Sequence, residues 1–354
     1  MSNKFYSLSI KEIRPETTDS VSILLTVPAD LAEHFNYKPG QYLTFKSIIK
    51  GEDIRRSYSI CSAPNEQDLR VAVKHIEKGI FSSFATKDLK TGQQIEVMPP
   101  MGSFIVNPDV STTKNHVFFA AGSGITPILS MVKALLEVEK SSTIYLFYVN
   151  KSKADTIFRT SLDVLAANNS NLKLVYLMTR EESGNAVTNG RIDKTKCDAL
   201  FSNYLNNVKI DAIYSCGPEE MIMTVKDYFI SKGMDKSKIH FELFTASAKA
   251  ADIPTLNHAN VDAEMTVIMD DESFNFKLST AGKSILQASQ DAGADVPFSC
   301  KGGVCCTCKA KVIEGSATMD LNYSLEPEEV AAGFILTCQA HPTSTKVVVS
   351  FDEY

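Results

Sequence analysis

The chain has 354 residues and eight cysteines, and five of these, Cys300, Cys305, Cys306, Cys308 and Cys338, fall within a 39-residue stretch near the C-terminus. Cys300, Cys305 and Cys308 are spaced C-x4-C-x2-C, and Cys338 lies 30 residues further on. That is the plant-type spacing for a [2Fe–2S] cluster, in which a tight loop supplies three thiolates and a distant segment the fourth. Gly302 and Gly303 let the loop turn sharply and bring backbone N–H groups near the sulfurs. Cys306 falls outside the spacing and reads as a small buried apolar residue. The alternative is a four-cysteine zinc site, but such sites pair two C-x2-C knuckles and only one is present.

A second constellation is Arg56-Ser57-Tyr58-Ser59. An Arg can pair with a pyrophosphate, a Tyr ring can cover a flat aromatic system, and a Ser hydroxyl can reach a ring nitrogen. Val73-Lys74-His75 lies on a following strand. Gly79-Ile80-Phe81-Ser82 then opens a helix whose N-terminus suits phosphate.

A third is Ala121-Gly122-Ser123-Gly124-Ile125-Thr126-Pro127, between an apolar strand and a helix. It reads G-x-G-x-x-P and so misses the ordinary dinucleotide fingerprint. The physics still holds: two glycines admit a pyrophosphate, and Pro127 suits the first helical turn. Ser215-Cys216-Gly217-Pro218 repeats the device at a later strand end. NADP preference shows basic groups where NAD preference shows an acid. Lys151 and Arg159 follow the second apolar strand with no acid between Asn150 and Asp155, which leans to NADPH, with NADH possible.

These residues need a scaffold. Ser20–Val27, Gln41–Phe45 and Leu69–Lys74 read as short, regularly spaced strands of an antiparallel barrel or sandwich, which Pro99–Phe104 ends. Val117–Ala121, Thr143–Val149, Leu172–Met178 and Ile213–Cys216 are continuous apolar strands. With helical patterns at Pro127–Glu139 and Met221–Phe229 they predict a doubly wound parallel sheet. Thr245–Asp262 is small, polar and weakly periodic, a linker. Beyond it come a hairpin around Asp270–Glu272, a helix at Ser284–Ala292, a strand at Lys309–Val312, a short helix near Pro327–Ala332 and a strand at Lys346–Ser350. The expected division is a barrel domain over 1–106, a nucleotide domain over 107–245, a linker over 246–262 and a cysteine-bearing domain over 263–354.

Composition sets limits. The net charge is −6, which argues against nucleic acid as a partner. Residues 263–354 hold 13 acidic and 6 basic side chains, so the chain's negative charge sits there, for solubility or as a docking face for a protein partner. No uninterrupted apolar run is long enough for a membrane span, and no signal peptide is evident. Clustered cysteines without a secretion signal point to metal binding in a reducing cytoplasm. The six histidines show no metal-binding pair spacing, and most read as structural.

CKGGVCCTCKAKV, with DLNYSLEPEEVAAGFILTCQAHP downstream, resembles a plant-type ferredoxin domain. The resemblance implies a β-grasp fold with Cys300, Cys305, Cys308 and Cys338 as metal ligands. The other two constellations resemble the flavin and pyridine-nucleotide domains of the ferredoxin–NADP reductase superfamily. That likeness implies a flavin, FAD ahead of FMN as the motif leaves both open, with Arg56 on its phosphates, Tyr58 on the isoalloxazine and Ser59 near N5. Ser57, Val73, Lys74, His75, Ile80, Phe81 and Ser82 line the same cofactor, Lys74 and Ser82 in its ribityl–phosphate region. It puts Gly122, Gly124, Thr126, Pro127, Cys216 and Gly217 against the nicotinamide nucleotide. Glu242 and Phe244, in Phe241-Glu242-Leu243-Phe244, match a Glu-x-Phe near the flavin, so Ser59, Cys216 and Glu242 are the catalytic candidates.

The domain order resembles reductases of bacterial multicomponent oxygenases. RRSYSIC, KGGVCCTCKAKV and NYSLEPEEVAAG carry the likeness toward members serving aerobic phenylacetate breakdown, which implies a di-iron oxygenase as electron acceptor. A steroid-ring hydroxylase as acceptor, a general ferredoxin-type reductase and a flavin reductase with a zinc-stabilised binding module remain alternatives. The expected fold class is α+β multidomain: antiparallel flavin-binding barrel, doubly wound α/β domain and β-grasp domain.

Overall fold

The computed structural model describes residues 4–182, 184–245 and 260–353, so most of the linker read at 246–262 lies outside the described residues. Residues 4–54 and 58–244 belong to one compact unit, and the C-terminal residues 260–353 belong to a second.

The first unit opens with β1 (Tyr6–Thr17), β2 (Ser20–Thr26), β3 (Tyr42–Ile49), β4 (Glu52–Ser59), β5 (Leu69–Lys74), α1 (Ile80–Lys87) and β6 (Gln94–Met101). The strands form one sheet in the order β4-β3-β6-β1-β2-β5. β1 runs antiparallel to β2 and β6, as β2 does to β5 and β3 to β6. An antiparallel bridge between Ile60 and Val71 draws the two edges of the sheet toward closure. Alternation fills the inside: Leu8 and Ile10, Ile23 and Leu25, Val71 and Val73 sit two apart and are all buried. Helix α1 adds Phe81 and Ala85 to the same core, one turn apart on one face. β6 carries Pro99 and Pro100, and its register against β3 slips between the Tyr42–Met101 and Thr44–Met98 pairs. Proline lacks the N–H a ladder needs, so it belongs at such an irregularity.

The same unit continues through β7 (Asn115–Ala121), α2 (Ile125–Val138), β8 (Thr143–Asn150), α3 (Arg159–Asn168), β9 (Leu172–Met178), α4 (Lys194–Leu200), β10 (Ala212–Cys216), α5 (Glu219–Ser231) and β11 (Ile239–Glu242). These strands form a parallel sheet in the order β11-β10-β7-β8-β9. Val117 to Ala120 and Leu146 to Tyr148 are almost wholly buried, as strands covered on both faces require. The order reverses between β7 and β10, and open α/β sheets bind ligands outside the carboxyl ends of strands at such a switch point. Helix α2 starts two residues before Pro127, which still lies in the first turn. Helix α4 has no counterpart in the sequence reading. Only Cys197 and Leu200 of it are buried, too few for an apolar stripe, and the Asp193 carboxylate caps it by accepting from Lys196 N at 2.7 Å.

The second unit contains β12 (Asp262–Met269), β13 (Glu272–Ser279), α6 (Ile285–Asp291), β14 (Lys309–Glu314), β15 (Ala317–Met319), α7 (Pro327–Ala331), β16 (Phe334–Leu336), β17 (Ala340–Pro342) and β18 (Lys346–Ser350). Five strands pair in the order β13-β12-β18-β14-β16, with β12 and β18 parallel, and β15 pairs with β17. Ile285 and Leu286 of α6 join Met265, Val267, Val347 and Val349 in one core, which is the β-grasp arrangement of a helix held by a mixed sheet. Asp270 and Asp271 turn the first hairpin at φ of 51° and 63°, both left-handed. The Asp352 carboxylate accepts both their N–H groups, at 2.9 and 3.2 Å. No helix among the described residues is long and apolar enough to cross a membrane.

Candidate functional site

At the end of β4, Tyr58 packs against Phe45 and Phe81, with ring centroids 5.9 and 5.6 Å away. Arg56 is exposed, its Nη1 donating to the Arg55 carbonyl at 2.7 Å, and Ser57 is half-buried. Ser59 is buried, and its Oγ donates to Glu242 Oε2 at 3.2 Å. Strand β4 of the antiparallel sheet and β11 of the parallel sheet are thus joined by two residues 183 apart in sequence. Burial pushes the Glu242 carboxyl up to about 8, against the smaller pull of the Ser59 hydroxyl.

Lys74 ends β5 and pairs with Asp19 at 3.2 Å. His75 Nε2 lies 3.3 Å from Ser83 Oγ on α1. No side chain caps the N-terminus of α1, so its first N–H groups are available to a phosphate. The Ser82 hydroxyl is engaged within its own turn, accepting from Ile76 N at 3.1 Å. Val73 and Phe81 point into the barrel core, so either can meet a ligand only through its backbone, whereas Ile80 is exposed.

The two glycine-bearing loops meet at the switch point. A Cβ on Gly124 would lie 2.1 Å from the Cys216 carbonyl oxygen, and one on Gly217 would lie 2.9 Å from the Ala121 Cβ. No side chain caps α2 either. Thr126 is buried and donates through Oγ1 to Ser123 O at 3.0 Å. Cys216 is fully buried, opposite Glu242 in the β10–β11 register, and burial holds its thiol well above the usual range. Phe244, just beyond β11, is partly exposed.

Lys151 and Arg159 do not share one environment. Lys151 is exposed and forms no ion pair among the described residues. Arg159 is committed to its own surroundings: its Nε lies 3.7 Å from Asp163, and its guanidinium sits over the Tyr176 ring at 5.3 Å. The sequence reading missed Arg180. It follows β9 and is exposed, and its backbone N–H donates to the carbonyl of exposed Lys151 at 2.9 Å, which joins the backbone at the two strand ends. Only the pairing of β8 with β9 reveals this.

In the second unit the four spaced cysteines converge. The four thiols are neighbours: Cys300 interacts with Cys305 and Cys338, and Cys338 with Cys308. Among the described residues no set of three or more His, Cys, Asp or Glu side chains closes on a single ion. Gly302 N–H donates to Cys300 Sγ at 3.3 Å. Four neighbouring cysteines in this spacing, with a backbone donor aimed at one sulfur, fit a [2Fe–2S] cluster. Cys306 is half-buried against the core of this unit, not fully buried as its spacing suggested.

The comparisons with known proteins assign three stretches of the chain to domain families. Residues 8–105 match the oxidoreductase FAD-binding domain, 118–227 the oxidoreductase NAD-binding domain and 267–343 the 2Fe-2S iron-sulfur cluster binding domain. The chain is 37% identical over 349 residues to one of the subunits of the 1,2-phenylacetyl-CoA epoxidase of Escherichia coli (strain K12), covering 98% of each protein. It is 31% identical to the ferredoxin reductase component of 3-ketosteroid-9-alpha-monooxygenase from Rhodococcus rhodochrous, covering 97% of this chain and 96% of that one. Among solved structures, phthalate dioxygenase reductase superposes with a TM-score of 0.60 at 25% identity, covering 99% of this chain and 98% of that one. That enzyme is described as a modular structure for electron transfer from pyridine nucleotides to [2Fe-2S]. The chain therefore belongs to the family of oxygenase reductase components that carry FAD-binding, NAD-binding and 2Fe-2S cluster-binding domains on one polypeptide.

Proposed function

We propose that this reductase takes electrons from NADPH and delivers them, by way of bound FAD and a [2Fe–2S] cluster, to a di-iron oxygenase that epoxidises phenylacetyl-CoA. The observation that carries the reading is the full-length likeness to the Escherichia coli epoxidase polypeptide, together with the converging four-cysteine set. Bound FAD supplies the two-electron to one-electron conversion, and the cluster supplies one-electron storage.

The chain's own groups bind, orient and hold protons. Arg56 and the uncapped start of α1 offer positive charge and N–H donors to the flavin phosphates. Ser57, Val73, Lys74, His75, Ile80 and Phe81 contribute to the same wall, Val73 and Phe81 through their backbones. Tyr58 is braced by Phe45 and Phe81 and offers a flat ring. Gly122, Gly124, Thr126, Pro127 and Gly217 form the nucleotide cradle at the switch point. The Glu242 carboxyl keeps its proton near neutral pH, and the Ser59 hydroxyl donates to it. A neutral carboxyl adds no charge to the pocket, and Cys216 stays a thiol there. Phe244 covers the open side. Lys151 with Arg180 forms the cationic pair that favours NADPH.

The domain limits of 1–106, 107–245, 246–262 and 263–354 belong to this reading, as does a cytoplasmic setting, where cysteines outside disulfides persist. The 13 acidic side chains of 263–354 support a docking face for a basic surface on the oxygenase.

The test is the visible spectrum of anaerobically purified protein, with iron, zinc and flavin quantified, before and after NADPH. Flavin bands over broad iron–sulfur absorption, both bleaching on NADPH, are expected. Flavin with zinc and no iron would overturn the reading. Reduction of the purified epoxidase oxygenase, but not of a steroid-ring hydroxylase, fixes the acceptor, and the reverse would reassign it.

A further inference from the structure

The peptide joining Lys301 to Gly302 is held at both of its polar atoms. Its N–H, on Gly302, donates to Cys300 Sγ at 3.3 Å. Its C=O, on Lys301, accepts from Gln339 Nε2 at 3.0 Å. The same amide nitrogen lies 3.2 Å from the Cys338 carbonyl. One side chain therefore ties the three-cysteine loop to the segment that brings the fourth cysteine.

This peptide needs such a tie. Lys301 has a φ of 53°, a left-handed conformation that a residue with a Cβ adopts reluctantly. Gly303, two residues on, has a φ of 72°. A Cβ there would meet the Leu321 carbonyl oxygen at 2.9 Å and Gln339 Cγ at 3.3 Å. Gln339 itself is anchored, its C=O accepting from Asp320 N at 2.9 Å. On the other side Tyr323 N–H donates to Gly303 O at 3.0 Å. The loop's backbone is thus clamped between 320–323 and 339, and among the described residues it is the Gln339 side chain that grips the peptide whose Gly302 N–H faces Cys300 Sγ.

We infer that Gln339 is a positioning residue for the cluster: by holding the Lys301 carbonyl it aims the Gly302 N–H at Cys300 Sγ and so raises the reduction potential. An N–H donor at a ligand sulfur stabilises the extra negative charge of the reduced state, and hydrogen bonds to the sulfurs are among the determinants of cluster potential. The inference rests on the reading that Cys300, Cys305, Cys308 and Cys338 hold a [2Fe–2S] cluster. Iron content and visible spectrum of the unaltered chain check that reading first and separately.

The experiment compares the full chain with Gln339→Met, which keeps the volume and loses the donor, and with Gln339→Ala. Redox titration followed by visible absorption gives the midpoint potential. Pulsed EPR of the dithionite-reduced cluster gives the coupling of its exchangeable amide protons. Both variants should retain two irons per chain. Their cluster should be reduced about tenfold less at a fixed ambient potential, a midpoint shift of about 59 mV to the negative for one electron, with one exchangeable-proton coupling weakened. An unchanged potential with unchanged couplings in the iron-replete Met variant overturns the inference. So does loss of iron from both variants, because Gln339 would then be packing for the loop and not an orienting donor.

Discussion

Gly124 and Cys216 touch backbone to backbone at the point where the parallel sheet reverses its strand order. One follows β7 and the other ends β10, and the separation leaves no room for a side chain at 124. The glycine-rich look of this loop thus has two sources, approach to a ligand and approach to the neighbouring loop.

Gly124→Ala tests the second source. A methyl placed 2.1 Å from a carbonyl oxygen must push the two loops apart. Overpacking of this kind costs about 1–3 kcal/mol. The thermal midpoint of the first unit should fall by several degrees, and the NADPH KM should rise, while flavin content stays at one per chain. Calorimetry with steady-state kinetics decides it. A variant with unaltered midpoint and KM would mean that the loops separate freely.

The cysteine set makes a sharper separation of roles. Cys305→Ser should remove the cluster yet leave flavin reduction by NADPH at its normal rate. Transfer to a one-electron acceptor such as cytochrome c should drop to the level the flavin alone supports. Stopped-flow absorption reads both in one sample. Loss of flavin reduction as well would make the cluster a structural element of the whole chain.

Much of this was legible in the sequence, and the exceptions have physical reasons. Strands β5, β9 and β18 begin and end where alternation and apolar runs place them. Spacing alone singles out the four cysteines that the fold brings near one another. The pairing of Ser59 with Glu242 joins residues 183 apart, and local pattern says nothing about that. His116 is another such case. The sequence reads most of the six histidines as structural but names no partner for this one, whose Nε2 lies 2.9 Å from the buried Glu139 carboxylate, which the Ser142 hydroxyl also reaches at 2.7 Å. Burial alone would raise the Glu139 carboxyl, but hydrogen bonds from Ser142, His116 and the Asp109 N–H, with the nearby His116, together hold it below its ordinary value. Arg180 escaped notice because its neighbour Lys151 lies on another strand end.

Glu242 gives a pH signature with a definite sign. Its carboxyl is raised from 4.5 to about 8 in the folded protein, so the folded state keeps a proton that the unfolded chain releases. Its contribution to stability is complete below about 4.5 and declines as pH rises to about 8, because the unfolded state binds fewer protons across that window. The urea midpoint for flavin release should therefore fall between pH 5 and pH 8. In Glu242→Gln, which cannot titrate, that part of the slope should vanish. An identical slope in the two proteins would show that Glu242 is ionised in the fold at neutral pH.

The choice of nucleotide turns on which cations are free. Arg159 is held by Asp163 and the Tyr176 ring, whereas Lys151 and Arg180 are exposed on strand ends joined by a backbone hydrogen bond. A charged group that hydrogen-bonds a phosphate contributes about 1.5–3 kcal/mol, enough for roughly a tenfold change in KM. Lys151→Ala and Arg180→Ala should each raise the NADPH KM by about that factor and leave the NADH KM unmoved. Arg159→Ala should leave the NADPH-to-NADH ratio near that of the parent, because its charge is already spent locally. Steady-state kinetics with both nucleotides settles the matter. A ratio that shifts only in the Arg159 variant would move the phosphate site to the start of α3.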